Sequence, residues 1–160
     1  MEMLENNEAV KRVREAILKF DNKFEILVLN KEAKTAKDAA IVINCDIGSI
    51  VKSLLIKIDD DFLICLVAGD KRCSLKKLKN ILRKDNVFMA DAKEVKENTG
   101  FSIGGVAPVA HLKKLDILID KSLNRFKNLY AAAGHPNCVF KISYHDLIKI
   151  TKGTEKEISE

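Results

Sequence analysis

Val51-Lys52-Ser53-Leu54-Leu55-Ile56-Lys57-Ile58, Asp59-Asp60-Asp61 and Phe62-Leu63-Ile64-Cys65-Leu66-Val67-Ala68-Gly69 form one continuous stretch, and the fold is read from it. Two short apolar runs flank three acids, which make a tight polar turn and join the runs as a hairpin. Both faces of the second run are apolar, which places it centrally in a sheet. In the first run, period-two geometry groups Lys52 with Leu54, Ile56 and Ile58 on one face. Val51, Ser53, Leu55 and Lys57 take the other. A lysine heading an apolar stripe is unusual, because burying an ammonium without a partner is costly. Two readings stand. The side chain snorkels at the strand end, or its ammonium lies at the mouth of a pocket, placed to hold an anionic or carbonyl oxygen.

Further strands are predicted at residues 24–30 (FEILVLN), 87–91 (VFMAD), 115–120 (LDILID) and 138–142 (CVFKI), all apolar and bounded by turn residues. Val10, Val13 and Ile17 recur at helical spacing and predict a helix over 7–19. Thr35 with Asp38 has capping-box spacing and opens a helix near 35–44. Ser74 caps a third helix whose Leu75, Leu78 and Leu82 face inward. Asp91 with Glu94 opens a short helix that Gly100 ends, and Ser143 with Asp146 opens the last, carrying Leu147, Ile148 and Ile150. Consecutive strands with peripheral helices argue for an α+β domain built on a largely antiparallel, curved or closed sheet.

The 160 residues suit one domain, and a composition 47% hydrophobic and 32% charged provides both a core and a solvated surface. No repeat or linker divides the chain, so residues 1–160 are read as a single unit with its core at about 7–152. No apolar run approaches the roughly 20 residues of a membrane span, and the charged N-terminal stretch is unlike a signal peptide. The expectation is a cytoplasmic protein with no membrane partner. Cys45, Cys65, Cys73 and Cys138 are scattered without C-x-x-C or zinc-ligand spacing, and read as small buried thiols.

Three other segments stand out. Residues 71–84 carry Lys71, Arg72, Lys76, Lys77, Lys79, Arg83 and Lys84 with no acid among them. That is either a solvated helix face or a surface for a nucleic-acid backbone. Residues 99–111 hold Gly100, Gly104, Gly105 and Pro108 in an otherwise apolar loop, the composition of a wall packed closely against something. Residues 131–137, Ala-Ala-Ala-Gly134-His135-Pro-Asn, read as a small-residue loop in which His135 is either structural or placed to orient a substrate amine or water.

Together these segments resemble the YbaK/EbsC family, the prolyl-tRNA-synthetase-associated editing domain, over residues 7–152. FEILVLNKEAKTAKDAA is similar to the family's opening strand and T-x-x-x-A-A helix start, and VKSLLIKI to its V-K-S/T-L strand. AGDKRCSLKKLKNIL is similar to its P-G-D-x-x-x-x-x-x-K-L block, with Ala68 where proline is common. TGFSIGGVAPVAH is similar to T-G-x-x-x-G-G-V-x-P-x-G, and AAGHPNCVFKISYHDLIKIT to the closing segment. One departure is Ala110 at the final glycine of the fourth pattern.

The resemblance implies a six-stranded, mainly antiparallel, barrel-like sheet and a trans-acting deacylase of mischarged tRNA, with alanine or cysteine on proline tRNA as typical substrates. It implies metal-free chemistry without a cofactor. Carried over by motif, Lys52, Gly104 and Gly105 are the catalytic candidates, with Pro108, Thr35, Gly134 and His135 around the substrate. Lys71, Arg72, Lys76, Lys77 and Arg83 then face the tRNA. The expected partners are the acceptor end of an aminoacyl-tRNA and, second, a prolyl-tRNA synthetase. An aminoacyl ester is already activated, so the site has only to position it, orient a water and stabilise an oxyanion. The rival readings are a non-catalytic tRNA- or synthetase-binding module of the same fold, and a hydrolase of small aminoacyl esters.

Overall fold

The structure, a computed structural model, describes residues 3–31 and 33–160. Five helices, α1 (Glu8–Phe20), α2 (Ala36–Ile43), α3 (Leu75–Leu82), α4 (Ala92–Thr99) and α5 (Tyr144–Thr151), surround a sheet. Its strands are β1 (Ile26–Val28), β2 (Ile50–Ile58), β3 (Asp61–Ala68), β4 (Val87–Met89), β5 (Asp116–Asp120), β6 (Leu129–His135), β7 (Cys138–Ile142) and β8 (Thr154–Lys156).

The helices begin where the chain supplies a cap. Asn7 Oδ1 accepts from the Ala9 and Val10 amides, Ser74 Oγ from Lys77 and Ser143 Oγ from Asp146. Asp91 and Glu94 close a reciprocal box on each other's amides, satisfying orphan donors of the first turn. At Thr35 the cap is one-way, its Oγ1 accepting from Asp38 at 3.1 Å.

The hairpin forms as expected, with Val51 opposite Ala68 and Ile58 opposite Asp61. Around it the sheet runs β1-β7-β6-β2-β3-β5-β8, with β4 also on β2. The α+β class, the curled half-barrel sheet and the peripheral helices match the expectation. The sheet has eight strands, however, where six were expected. One addition is β8, a short polar strand. The other is β6, whose Ala131-Ala132-Ala133-Gly134-His135 has the composition of a small-residue loop but forms a strand. Alanine is a weak strand former, yet here the small side chains are what the packing requires. α1 lies directly on β6, and a β-carbon at Gly134 would stand 2.8 Å from the Ala9 carbonyl. Pairing is mixed: β2 and β3, β2 and β4, β1 and β7, and β6 and β7 are antiparallel, while β2 and β6, β3 and β5, and β5 and β8 are parallel.

The two faces of the sheet bury different partners. Val51, Leu55, Ile64 and Leu66 join the main core beneath α1, with Phe101, Val106 and Leu147. Ile56, Ile58, Cys65 and Val67 pack under α3 around Leu78, with Leu75 and Leu82 half-buried beside them. Lys52 therefore shares the α3 face with Leu54, as its period requires.

Candidate active site

The outer edge of β2 is split between two strands. Its first residues, Ile50 and Val51, pair with β6, and its last, Ile56–Ile58, with β4. Between them the edge has no strand neighbour among the described residues, which leaves a notch in the sheet. A cavity of about 400 Å³ opens there. Its wall takes Lys52, Ser53 and Leu54 from the notch, Thr35 and Ala39 from the start of α2, and Tyr130 and Ala132 from β6. Met89, Ile103, Gly104 and Pro136 complete it, Met89 and Ile103 being exposed at 48% and 61%.

Ser53 has the most telling position. Main-chain groups along a strand point to alternate edges. Ile50 O accepts from Gly69 on the β3 side, and Leu55 O accepts from Ala90 on the other. The amide and carbonyl of Ser53 therefore face the notch. Its Oγ is buried with no hydrogen-bond partner among the described residues. A buried orphan hydroxyl is costly, and such a group lining a cavity calls for a ligand. Sequence periodicity places Ser53 only on a strand face. An orphan hydroxyl is defined by what fails to pack against it, and that is invisible in a strand pattern.

Lys52 stands between this apolar cavity and a second, polar cleft of about 520 Å³ formed with Gly69, Asp70, Lys71, Arg72 and Glu160. Its ammonium donates to the Lys71 carbonyl. Burial pushes the Lys52 pKa down, and the charges of Asp70 and Cys73 work against that shift. Asp70 is kept anionic beside it, because Arg125 donates to both carboxylate oxygens at 2.8 and 2.7 Å and holds its pKa below the usual value. The ammonium is thus neither snorkelling freely nor sealed in. It is a cation held at the boundary of the two cavities.

The other expected residues divide. Gly104 lines the cavity with φ +91°, a left-handed conformation that favours glycine. Gly105 is buried against the His135 main chain and its N–H is already committed to Ser102 O at 2.9 Å. Pro108 is buried and lies outside the cavity wall, and Gly134 faces α1. His135 also stands behind the wall, where its Nδ1 accepts the Asn137 N–H at 3.0 Å. Thr35 is at the rim. Lys71 and Arg72 line the polar cleft, while Lys76, Lys77 and Arg83 are exposed on α3 and its C-cap. His111, unassigned in the sequence reading, is packed edge-on to Phe101 and within 2.7 Å of the Ala107 carbonyl. Burial lowers its pKa.

Asn137 was missed. Its Oδ1 accepts the Ala33 N–H at 3.1 Å, and its carbonyl accepts the Leu29 N–H at 2.7 Å. These bonds fasten the segment leading to Thr35 over the cavity. Among the described residues, the charged side chains of the cavity wall are Lys34 and Lys52, both cations. No group of three or more His, Cys, Asp or Glu residues fit to hold a metal ion occurs among the described residues, and no helix there is long and apolar enough to cross a membrane.

The sequence pattern of aminoacyl-tRNA editing domains matches residues 30–150. The chain belongs to the aminoacyl-tRNA editing domain family. This editing domain is similar to part of several proline–tRNA ligases. It is 26% identical over 151 residues to the proline–tRNA ligase of Caldicellulosiruptor saccharolyticus, a match covering 94% of the chain and 24% of the ligase. With the ligase of Thermosipho africanus it shares 36% identity over 101 residues, 63% of the chain and 18% of the ligase. The editing domain thus spans about a quarter or less of these relatives. A crystal structure of a candidate trans-editing enzyme for prolyl tRNA synthetase superposes with a TM-score of 0.90 and 30% identity, covering 96% of this chain and 98% of that one.

Proposed function

We propose that this editing domain is a trans-acting deacylase that hydrolyses the ester of mischarged tRNA, with alanine or cysteine on proline tRNA as substrate. The observation that supports the reading is the notch in β2. It sets an unpaired edge amide and an orphan hydroxyl at Ser53 in the wall of a small apolar cavity that Lys52, on the opposite face of β2, also lines. The aminoacyl group enters the cavity, where the apolar wall suits a small side chain and the open edge of β2 receives its polar atoms. Lys52 holds the phosphate of the terminal adenosine or the negative charge that develops on the ester oxygen, and Gly104 brings main chain close to the reacting group. The charged side chains of the wall are Lys34 and Lys52, and it carries no carboxylate among the described residues. The nucleophile is therefore a positioned water or the substrate's own hydroxyl or thiol, and the protein works by orientation and charge stabilisation. Lys71 and Arg72 in the polar cleft, continued by Lys76, Lys77 and Arg83 on α3, form the track for the acceptor stem. A prolyl-tRNA synthetase is the second expected partner.

The test is deacylation of Ala-, Cys- and Ser-charged proline tRNAs by the wild type and Lys52→Ala. The wild type is expected to outpace buffer on at least one of them. Lys52→Ala is expected to fall about 100-fold, the size of one lost transition-state donor. Tight tRNA binding with no hydrolysis by the wild type would instead mark a non-catalytic binding module.

A further inference from the structure

Arg12 lies on α1, outside the cavity wall, yet it reaches both ends of the glycine loop at residues 99–111. Its Nε donates to the Ala110 carbonyl at 2.9 Å and its Nη2 to the Thr99 carbonyl at 3.1 Å, across 98 and 87 positions of chain. The guanidinium also lies over the Phe101 ring, 4.6 Å from its centroid. It comes so close to Gly100 that a β-carbon there would stand 2.5 Å from Nη2. The base of this arm is rigid, because Val10, Val13 and Ile17 on α1 are fully buried. The loop's own bonds give it shape. The Gly105 N–H donates to the Ser102 carbonyl, the Leu112 N–H to the Thr99 carbonyl and the Lys113 N–H to the Asn98 carbonyl. Those bonds close the loop on itself and leave its placement against the sheet to packing and to Arg12. Among the described residues, the side-chain hydrogen bonds that reach the loop from a distant segment both come from Arg12.

We propose that Arg12 is the positioning residue of this loop, a two-pronged clamp that holds Ile103 and Gly104 at the cavity wall. The planar guanidinium presents its N–H donors in a fixed fork, so one side chain sets the spacing of two carbonyls. A lysine ammonium is a point charge on a flexible stem and does not impose that geometry. Phe101 is fully buried, so the guanidinium stacked on it also fixes the depth of the loop. Thr99 and Ala110 stand near the two ends, and Ile103, Gly104 and Val106 between them line the cavity. A shift of the clamp is therefore carried to the Gly104 main chain. Arg12 acts through Gly104 without touching the substrate, and governs how the reacting group is held rather than how the body of the tRNA binds. That distinction has a kinetic form. Losing an interaction made only in the transition state lowers kcat and kcat/KM together, whereas losing uniform binding raises KM. Arg12 belongs to the first class and the basic surface of α3 to the second.

The effect on rate rests on the deacylase reading, and the clamp itself does not. The experiment compares the wild type with Arg12→Met, which keeps a long unbranched stem, and with Arg12→Lys. It measures deacylation of mischarged proline tRNA, thermal unfolding and amide hydrogen exchange on the full chain. Arg12→Met should lose about 10- to 100-fold in kcat, the scale of a misplacement of roughly 1 Å, with KM little changed. Exchange should quicken at residues 99–112 and stay as in the wild type in β2 and β3. Arg12→Lys should recover little of the rate. Millimolar guanidinium chloride should restore part of the Arg12→Met rate where equal sodium chloride does not. A wild-type kcat in either variant would overturn the positioning role. So would a rate loss that guanidinium leaves untouched while exchange quickens throughout the chain, the mark of a general loss of stability. If Arg12→Met does not fold, Arg12→Lys decides, and wild-type exchange at 99–112 in that variant would overturn the clamp. A wild type that hydrolyses no mischarged tRNA would instead count against the deacylase reading, with exchange at 99–112 still deciding the clamp.

Discussion

Asn137 Oδ1 accepts the Ala33 N–H at 3.1 Å, joining residues 104 positions apart in the chain. The bond fixes the segment that carries Thr35 to the turn between β6 and β7, across the cavity. Asn137→Ala should cost about 1 kcal/mol of stability and lower kcat/KM for deacylation about tenfold. Hydrogen exchange at residues 33–36 should quicken at the same time. Asn137→Asp retains the acceptor and should restore much of both.

Ser53 should oppose stability and function. Its Oγ is buried without a partner among the described residues, so Ser53→Ala removes a desolvated group that contributes nothing to folding. Urea unfolding should show the variant equal to the wild type or more stable by about 1 kcal/mol. KM for mischarged tRNA should rise. A clear loss of stability would mean that the hydroxyl is already satisfied in the free protein.

Ala110 adopts φ +64°, and Arg12 Nε donates to its carbonyl at 2.9 Å. An alanine held in the left-handed region is strained by about 1–2 kcal/mol, partly offset by the lower entropy of its unfolded chain. Ala110→Gly should therefore raise stability by up to about 1 kcal/mol, or a Tm shift of about 2–4 °C for a chain of this size. Thermal unfolding decides it.

Asp120 is 2% exposed. Burial raises its pKa, but donation from Ser122, the Ile158 amide at 2.9 Å and Ser159 at 2.7 Å outweighs it, and the net value lies below the ordinary 3.8. A depressed carboxylate pKa gives stability that is complete above the unfolded value and lost as pH falls through the folded one. Asp120→Asn should thus destabilise by about 2–3 kcal/mol near neutrality. The gap to the wild type should close as pH drops below 3.8, measured by denaturant unfolding across an acid series.

Lys76, Lys77 and Arg83 are exposed, and Lys77 Nζ reaches the Ser159 carbonyl at 2.5 Å. If they contact phosphates, each neutralised residue should reduce the slope of log affinity against log salt by about 0.7–0.9. Filter binding of proline tRNA to the triple alanine variant, over a salt series, reads this directly. An unchanged slope would leave α3 as a solvated face.

Much of the fold was legible because its signals are local. Asn7, Ser74, Asp91 and Ser143 begin helices through bonds to amides two or three residues ahead, and such spacing survives in the sequence. The β2–β3 hairpin is equally local. β6 was not legible, since three alanines and a glycine carry no strand pattern. They form a strand because α1, more than a hundred residues earlier, needs small neighbours.

The site follows the same division. By its own periodicity and motifs, the sequence determined an α+β chain with Lys52 on an apolar face, an apolar glycine loop and a basic helix. These depend on neighbours within a few residues. Only the tertiary structure decided that β4 and β6 leave the middle of β2 uncovered, that Ser53 opens into that notch, and that Lys52 rests against the Lys71 carbonyl between two cavities. A cavity and an orphan group are properties of where distant segments stop packing, and no local pattern encodes that.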